Sequence, residues 1–394
     1  MSLRGPTGTR ELWEGRKPRK ARSRRKPRTG KERLGARALC VYWPGGSWPR
    51  PGPPVILGYA RLYAPDDSER AVPDAAAARS LLDERAPDVL ERMSAMARRI
   101  GADARTEDAI LLGTARLGHR HGSFGTDFHD YHNEKHALEL ADRRLVRLIE
   151  SEAAALSVDD ASALMLFAAC HDLRQRETRD VPGPVGGNEA ASAAECFRIL
   201  ETCGFDPVAD RHQFVALELM IAGSTFDARP APPADPHGAE LASIAGGALA
   251  RGLFLWLDAE VPDWRLDTDA RRGERLGRLA ADLDTANVGE EFSLLCESAL
   301  RLCREREMRM GRSLDAPESG PPCLGFLGMG QVHYFFELHR FCSREGERVF
   351  GPQKQVNGAH VRATSKALGD RFSPGPPPSG RAVIAAFEEL SARS

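Results

Sequence analysis

The chain lacks any Cys-x-x-Cys pair, any long apolar run, any apolar segment behind its first basic residues, and almost any period-two alternation. Each absence excludes something. Eight cysteines spread widely do not make a disulfide frame, and Cys170, Cys196, Cys203, Cys296 and Cys303 sit inside helix-like apolar patterns. They read as reduced core residues of a cytoplasmic protein. No apolar run approaches the roughly 18–20 residues that a membrane span needs, so a membrane is not an expected partner. The start of the chain has no h-region and does not read as a secretory signal. Without alternating stretches, a sheet of any size is not expected.

What is present is 394 residues with 42% hydrophobic content, enough for one large domain with flanking segments or two modest ones. The net charge of −1 conceals an asymmetry. Residues 1 to 37 are crowded with basic side chains, including Lys17-Pro18-Arg19-Lys20 and Arg24-Arg25-Lys26, so the remainder is acidic. This basic tail cannot bury enough apolar surface to offset its ordering entropy and reads as disordered. It could serve as a nucleic-acid arm, but charge runs alone carry no base-reading chemistry, and nucleic acid is not an expected partner. Residues 38 to 75 form a Pro/Gly-rich connector with one strand-like patch, Val55-Ile56-Leu57. From about Ala76 the texture becomes helical. We place a domain over residues 76–345 and a C-terminal extension over 346–394, whose one signal is a short helix from Ala382 to Ala392.

Several helices follow from caps and periodicity. Ser157 with Asp160 fits a capping box, and Ala161 to Cys170 is apolar nearly all round, which marks a buried helix ending at His171-Asp172. After a loop containing Pro182-Gly183-Pro184, Asn188 caps a helix from Glu189 to about Cys203, closed by Gly204. Further helices cover Phe214 to Ile221, Leu276 to Asp284 and Phe292 to Met310, the last closed by Gly311. Residues 312–325 read as a Pro/Gly loop, and Gln331 to Cys342 as an aromatic-rich, helix-like segment. The fold class is therefore all-α.

The chemistry concentrates in Tyr131-His132-Asn133-Glu134-Lys135-His136-Ala137 and in His171-Asp172. Histidines four positions apart share a face of a helix. Three imidazoles and a carboxylate suit a metal site of mixed nitrogen and oxygen ligands. A second His-Asp pair, His129-Asp130, precedes Tyr131 in what reads as a loop. His171-Asp172 is preferred because it ends a buried helix, where ligands can be held rigidly.

Taken together these motifs resemble the catalytic domain of class I cyclic nucleotide phosphodiesterases, a branch of the HD-domain metal hydrolases. That family carries Tyr-His-Asn-x-x-His-Ala, matched by Tyr131 to Ala137, and then an apolar helix ending in His-Asp, matched by His171-Asp172. A Glu that opens an apolar helix is matched by Glu189. Ala-Asp-Leu is matched by Ala281-Asp282-Leu283, and a Gln-Val followed by an aromatic by Gln331-Val332-His333-Tyr334. The resemblance covers about residues 80 to 345 and says nothing of the basic tail.

The resemblance implies an HD/phosphodiesterase-like helical domain with a central metal-containing pocket. It implies that His136, His171, Asp172 and Asp282 hold a tightly bound ion, for which two imidazoles and two carboxylates suit zinc. Asp172 would bridge to a second, water-rich magnesium or manganese ion, with Glu189 bonded to its water shell. His132 would be the general acid. Gln331 and Tyr334 would clamp a purine, with Tyr131 beside them in the substrate pocket. The chain departs from the family after His-Asp, where Leu173-Arg174-Gln175-Arg176 replaces a further His and a Pro-Gly. The family's Asn shortly after Ala-Asp-Leu is replaced by Thr285, with Asn287 displaced by two. Asp284 and Asp258 stand as alternatives to Asp282.

The expected function is a metal-dependent hydrolase that converts a 3′,5′-cyclic nucleotide, a small-molecule partner, to the 5′-monophosphate. The alternatives are another HD-type nucleotide phosphohydrolase, or a non-catalytic nucleotide- or nucleic-acid-binding protein with a vestigial site.

Overall fold

The computed structural model describes residues 63–151, 153–177, 183–227 and 246–393. By its internal contacts the chain divides into Met1–Pro49 and Arg50–Ser394. The first unit, and with it the basic tail, lies outside the described residues, as do the patch Val55-Ile56-Leu57 and Pro182.

The described part is all-α. In chain order, α1 is Asp67–Ala71, α2 Ala75–Arg85, α3 Pro87–Ile100 and α4 Ala104–His121. Then come α5 Glu134–Leu138, continued by a π turn Glu139–Leu145 into α6 Val146–Glu150, and α7 Val158–Cys170. The helices α8 Gly187–Thr202 and α9 Arg211–Ser224 lead to the strands β1 Phe226–Asp227 and β2 Gly247–Ala248. After these come α10 Leu253–Glu260, α11 Thr268–Asp284, α12 Phe292–Arg309, α13 Gly320–Gly325 and α14 Gln331–His333. The last two are α15 Arg344–Arg371 and α16 Gly380–Ser391. The only sheet among the described residues is the antiparallel pair β1–β2, with Phe226 opposite Ala248. No described helix is long and apolar enough to cross a membrane.

Two helices fix the frame of the site. Ser157 caps α7 by accepting from the Asp160 N–H at 3.1 Å, and the helix is buried nearly all round, packed on α4 and α9. A helix apolar on every face has no solvent side, so its end is held from all directions. The helix α11 lies along α9 at very close approach. A Cβ at Gly273 would meet Leu219 Cδ1 at 2.8 Å, which makes glycine a packing requirement there.

Three boundaries differ from the sequence reading. Residues 63–75, assigned to the connector, pack on the helical body. Val72 is buried, and the carboxylate of Glu69 accepts from Arg198, Nη2 to Oε1 at 2.6 Å and Nε to Oε2 at 2.8 Å. The C-terminal extension is also part of the body: Val349 and Phe350 belong to the main core, and Asn357 Nδ2 donates to the Val288 and Glu290 carbonyls. Gly346, Gly351, Pro352 and Gly358 weaken the helical signal of α15, but its buried face outweighs that. Lastly, α8 is capped at Gly186, and Asn188 instead accepts from the Glu177 N–H at 2.9 Å, tying down the loop before it.

The core contains a buried charge network. Glu195, fully enclosed, accepts from Arg120 Nη2 at 2.9 Å and Arg174 Nη1 at 3.4 Å, and lies 3.7 Å from Arg116. Asp66 and Glu69 complete it. Removing one partner of such a set leaves uncompensated buried charge, so Glu195→Ala should lose about 3 kcal/mol in urea unfolding. Asp370→Ala, which breaks an exposed pair with Lys366, should leave the transition unmoved.

Candidate functional site

The end of α7 delivers the first ligands. His171 is the C-cap of that helix, and its ring stacks on Phe167 at 4.6 Å. Its Nδ1 lies 3.1 Å from the Phe167 carbonyl, which can only accept, so Nδ1 donates and Nε2 is the nitrogen turned to the carboxylates. That Nε2 is 3.0 Å from Asp172 Oδ2, and beyond this ion pair neither buried atom has a hydrogen-bond partner.

His136 enters from α5. The sequence reading put His132 and His136 on one helix, but the helix starts only at Glu134. Asn133 caps it by accepting from the Lys135 N–H at 3.0 Å, so His132 belongs to the turn before it. His136 Nε2 is 3.1 Å from Asp284 Oδ1 and 3.7 Å from Asp172 Oδ2, and His171 Nε2 is 3.5 Å from Asp284 Oδ1. Donor atoms bonded at ~2.1 Å to one ion stand ~3.0–3.4 Å from each other, so these groups need to move by only a few tenths of an ångström to surround a cation. His136, His171 and Asp172 form a buried group able to hold a cation.

The carboxylate that faces the two histidines is that of Asp284, whereas the sequence reading expected Asp282 there. Residues two apart on a helix differ by ~200°, so only one of them can face the histidines. Asp282 faces the other way. It accepts from the Cys342 N–H at 2.6 Å, the Ser343 N–H at 2.9 Å and the Ser343 hydroxyl at 2.5 Å, securing the start of α15. Asp258 bonds to the Trp264 indole at 2.8 Å and pairs with Arg265, outside the cluster. The displacement of Asn287 by two residues matches that of Asp284, so Asn287 stands three positions after the carboxylate that faces the histidines.

Charge in the site is strongly coupled. Burial disfavours a charged His171, but Asp172 and Asp284 outweigh it and hold its proton well above the ordinary range. Burial would raise Asp172, but His171 and His132 bring it down to about 2. These carboxylates draw a proton onto His171. Glu189, at the start of α8, is pushed up by burial and then by Asp172 and Asp284, which places it within their field.

His132 is 23% exposed and is held by a residue that sequence reasoning missed. Its Nδ1 is 2.6 Å from Glu305 Oε1, while Glu305 Oε2 accepts the backbone N–H groups of Tyr131 at 2.9 Å and His132 at 3.0 Å. Burial would raise Glu305, but His132 and His129 hold it well below the usual carboxylate range. Burial likewise opposes charge on His132, yet Asp172 and Glu305 bring it up to about 9. The available signal was a polar line, Ser298, Arg301 and Glu305, on the otherwise apolar buried face of α12.

Asp284 and His132 open onto a cavity of about 390 Å³. Tyr131, His132, Asp284, Asn287, Gln331 and Tyr334 line it, so the structure brings the expected substrate-pocket residues together. Phe226 of β1 closes one side, 5.6 Å from Tyr334 ring to ring. The Tyr131 ring stands 4.4 Å from that of His136. His129 lies apart from the His136–His171 cluster.

No family model matches the chain, and no curated protein matches it. Solved structures of phosphodiesterase domains are similar at low identity. One is the phosphodiesterase domain of the Salpingoeca rosetta rhodopsin phosphodiesterase: 13% identical, TM-score 0.44, over 78% of this chain and 92% of that one. A second structure of that domain is 14% identical with a TM-score of 0.40, over 86% and 97%. LmjPDEB1 in complex with IBMX is 16% identical with a TM-score of 0.42, over 80% and 91%. What this chain does has to be read from its own site.

The two aspartates give a direct test. After dialysis against trace zinc or manganese, Asp284→Ala should retain no stoichiometric metal. Asp282→Ala should keep its metal and lose thermal stability, because it removes the anchor of α15.

Proposed function

We propose that the chain is a metal-dependent phosphodiester hydrolase whose substrate is a 3′,5′-cyclic nucleotide and whose product is the nucleoside 5′-monophosphate. The observation that carries this reading is the convergence of His136, His171, Asp172 and Asp284 beside a histidine–carboxylate pair, with Asp284 and His132 also lining a cavity.

The donor set, two imidazole nitrogens and two carboxylates, fits a divalent ion, and the buried His171 Nε2 and Asp172 Oδ2, which have no hydrogen-bond partner beyond their own ion pair, support that fit. Zinc suits the tight position. When bound, the ion would supply a water of lowered pKa and positive charge for the phosphoryl oxygens. The resemblance implies a second ion, magnesium or manganese, which Asp172 and Glu189 would help to hold. Gln175 Nε2 donates to Asp172 Oδ1 at 2.9 Å and so fixes the carboxylate with Oδ2 towards the histidines.

The chain's own residues do the rest. Glu305 is ionised and can only accept, so His132 donates from Nδ1 and presents Nε2 to the cavity. As water attacks phosphorus and the bond to the ribose oxygen breaks, Nε2 of protonated His132 gives that oxygen its proton. Gln331 offers both a donor and an acceptor to a purine edge, and Tyr334 with Phe226 offers aromatic faces to the ring. Tyr131 packs against His136 and completes the wall.

Paired substitutions separate binding from chemistry. His132→Ala should keep its metal and most substrate affinity while turnover falls by about 10²–10⁴. His136→Ala should lose metal and activity together. Metal analysis and a panel of cyclic nucleotides read both, and a wild-type protein that binds metal but hydrolyses none of the panel would remove the phosphodiesterase reading.

A further inference from the structure

His129 has no place in the ligand set, yet it is fully enclosed, at 0% exposure. Both of its ring nitrogens face carboxylates. Nδ1 is 3.1 Å from Glu305 Oε1, the same oxygen that His132 Nδ1 approaches at 2.6 Å. Nε2 is 3.2 Å from Asp127 Oδ2. Asp127 is clamped from the surface by Arg176, Nε to Oδ2 at 2.6 Å and Nη2 to Oδ1 at 2.5 Å. An alternating row of charge-bearing groups thus runs from solvent to the cavity: Arg176, Asp127, His129, Glu305, His132.

His121 also reaches this row, its Nδ1 3.4 Å from Asp127 Oδ2 and its ring 4.3 Å from that of His129. His121, Asp127 and His129 could be read as a second metal trio. Against this, Asp127 already meets the Arg176 guanidinium on both oxygens, so the positive partner is in place.

We propose that His129, braced by Asp127, is a positioning residue that fixes Glu305 so that His132 aims Nε2 at the leaving oxygen. This rests on the hydrolytic reading of the site. A carboxylate has about four lone-pair directions, and Glu305 fills them with two imidazole nitrogens and two backbone N–H groups. If His129 is removed, Oε1 keeps His132 as its hydrogen-bond partner with Arg309 Nη1 3.8 Å away, Oε2 stays on the backbone, and the carboxylate loses the imidazole that fixes its tilt about that anchor. A donor held loosely misplaces the proton and leaves the rest of the site intact.

The test exploits leaving groups. A ribose alkoxide needs a proton to depart, whereas p-nitrophenolate leaves without one. Full-length protein with manganese is assayed on 3′,5′-cyclic AMP or cyclic GMP, whichever the wild type turns over faster, and on bis(p-nitrophenyl) phosphate. In His129→Leu, kcat on the cyclic nucleotide should fall by about 10–100-fold with KM unchanged, while the p-nitrophenyl ester is hydrolysed within about two-fold of the parent rate. His129→Asn, which places an amide N–H near the Nδ1 position, should recover most of the loss. Equal slowing of both substrates, or slowing of neither, overturns the proposal. Should His129→Leu lose its thermal transition, Asp127→Asn at the half-buried end of the row decides instead. It should slow the cyclic nucleotide alone by several-fold, and an equal effect on both substrates overturns the proposal. A wild type that hydrolyses neither substrate removes the hydrolytic reading itself, whereas an active wild type with an indifferent His129→Leu removes only this inference.

Discussion

Three arginines, two buried and one (Arg120) nearly so, grip the backbone at the three chain segments that carry the site, and its geometry depends on them. Arg120 Nη1 donates to the Leu173 carbonyl at 2.6 Å, one residue past Asp172. Arg144 Nη1 donates to the carbonyls of Leu283 at 2.9 Å and Asp284 at 2.7 Å, at the C-terminus of α11, where a cation also meets the negative end of the helix dipole. Arg301 donates to the carbonyls of Asp130 at 2.8 Å and Tyr131 at 3.2 Å. A guanidinium taken out of water needs a carboxylate as well as carbonyls. Each of these has one: Glu195 for Arg120, Glu290 for Arg144 and Glu139 for Arg301. The same arginines therefore join distant parts of the chain and hold the loops from which the candidate ligands project. In His136 the two roles meet, since Glu139, held by Arg301, lies 3.7 Å from its Nδ1.

Within this frame one group of atoms stands close together. His171 Nε2 and Asp172 Oδ2 are buried, 3.0 Å apart and without a further hydrogen-bond partner, beside a second imidazole and a second carboxylate. A protein that satisfies Glu305 four times over has not left these atoms to each other for want of donors. The set calls for positive charge at one point, and a divalent ion answers it more completely than a shared proton.

The parts of this arrangement that were legible in the sequence are those written in local pattern. The apolar run to Cys170 announced a buried helix, and its end placed His171 and Asp172. The motif around Tyr131 gave His132 and His136 although the helix begins later than their spacing suggests, because Asn133 is a better cap than a helix interior residue. The Asp282/Asp284 choice was not legible. Both close the same helix, and which one faces the histidines depends on the helix phase set by Gly273 and Gly277 against α9 and on what Ser343 requires. Motif text favoured Asp282, whereas packing selects Asp284. The arginines and Glu305 were hidden for a related reason: a charged residue in a helix reads as surface until its partner, here 75 to 173 residues away, is known. In α15 the glycines and Pro352 spoke against a helix, and only its burial on the core speaks for it.

The run Leu173-Arg174-Gln175-Arg176, where the chain leaves the family pattern, is the clearest case of sequence acquiring sense from structure. Arg174 joins Glu195 and Glu177, and its N–H donates to Ser192 Oγ at 3.1 Å, so it locks the turn to α8. Gln175 donates to Asp172 Oδ1 and leaves Oδ2 as the oxygen aimed at the histidines. Arg176 clamps Asp127 and so begins the row that ends at His132. Each substituted position makes a bond to a group in or beside the site, and none of those bonds duplicates another. Removing one partner of such a bond leaves the other buried and unsatisfied, so these contacts hold the candidate site together. Arg176 fixes Asp127 and through it His129, Gln175 fixes Asp172, and Arg174 fixes the turn that leads on to α8.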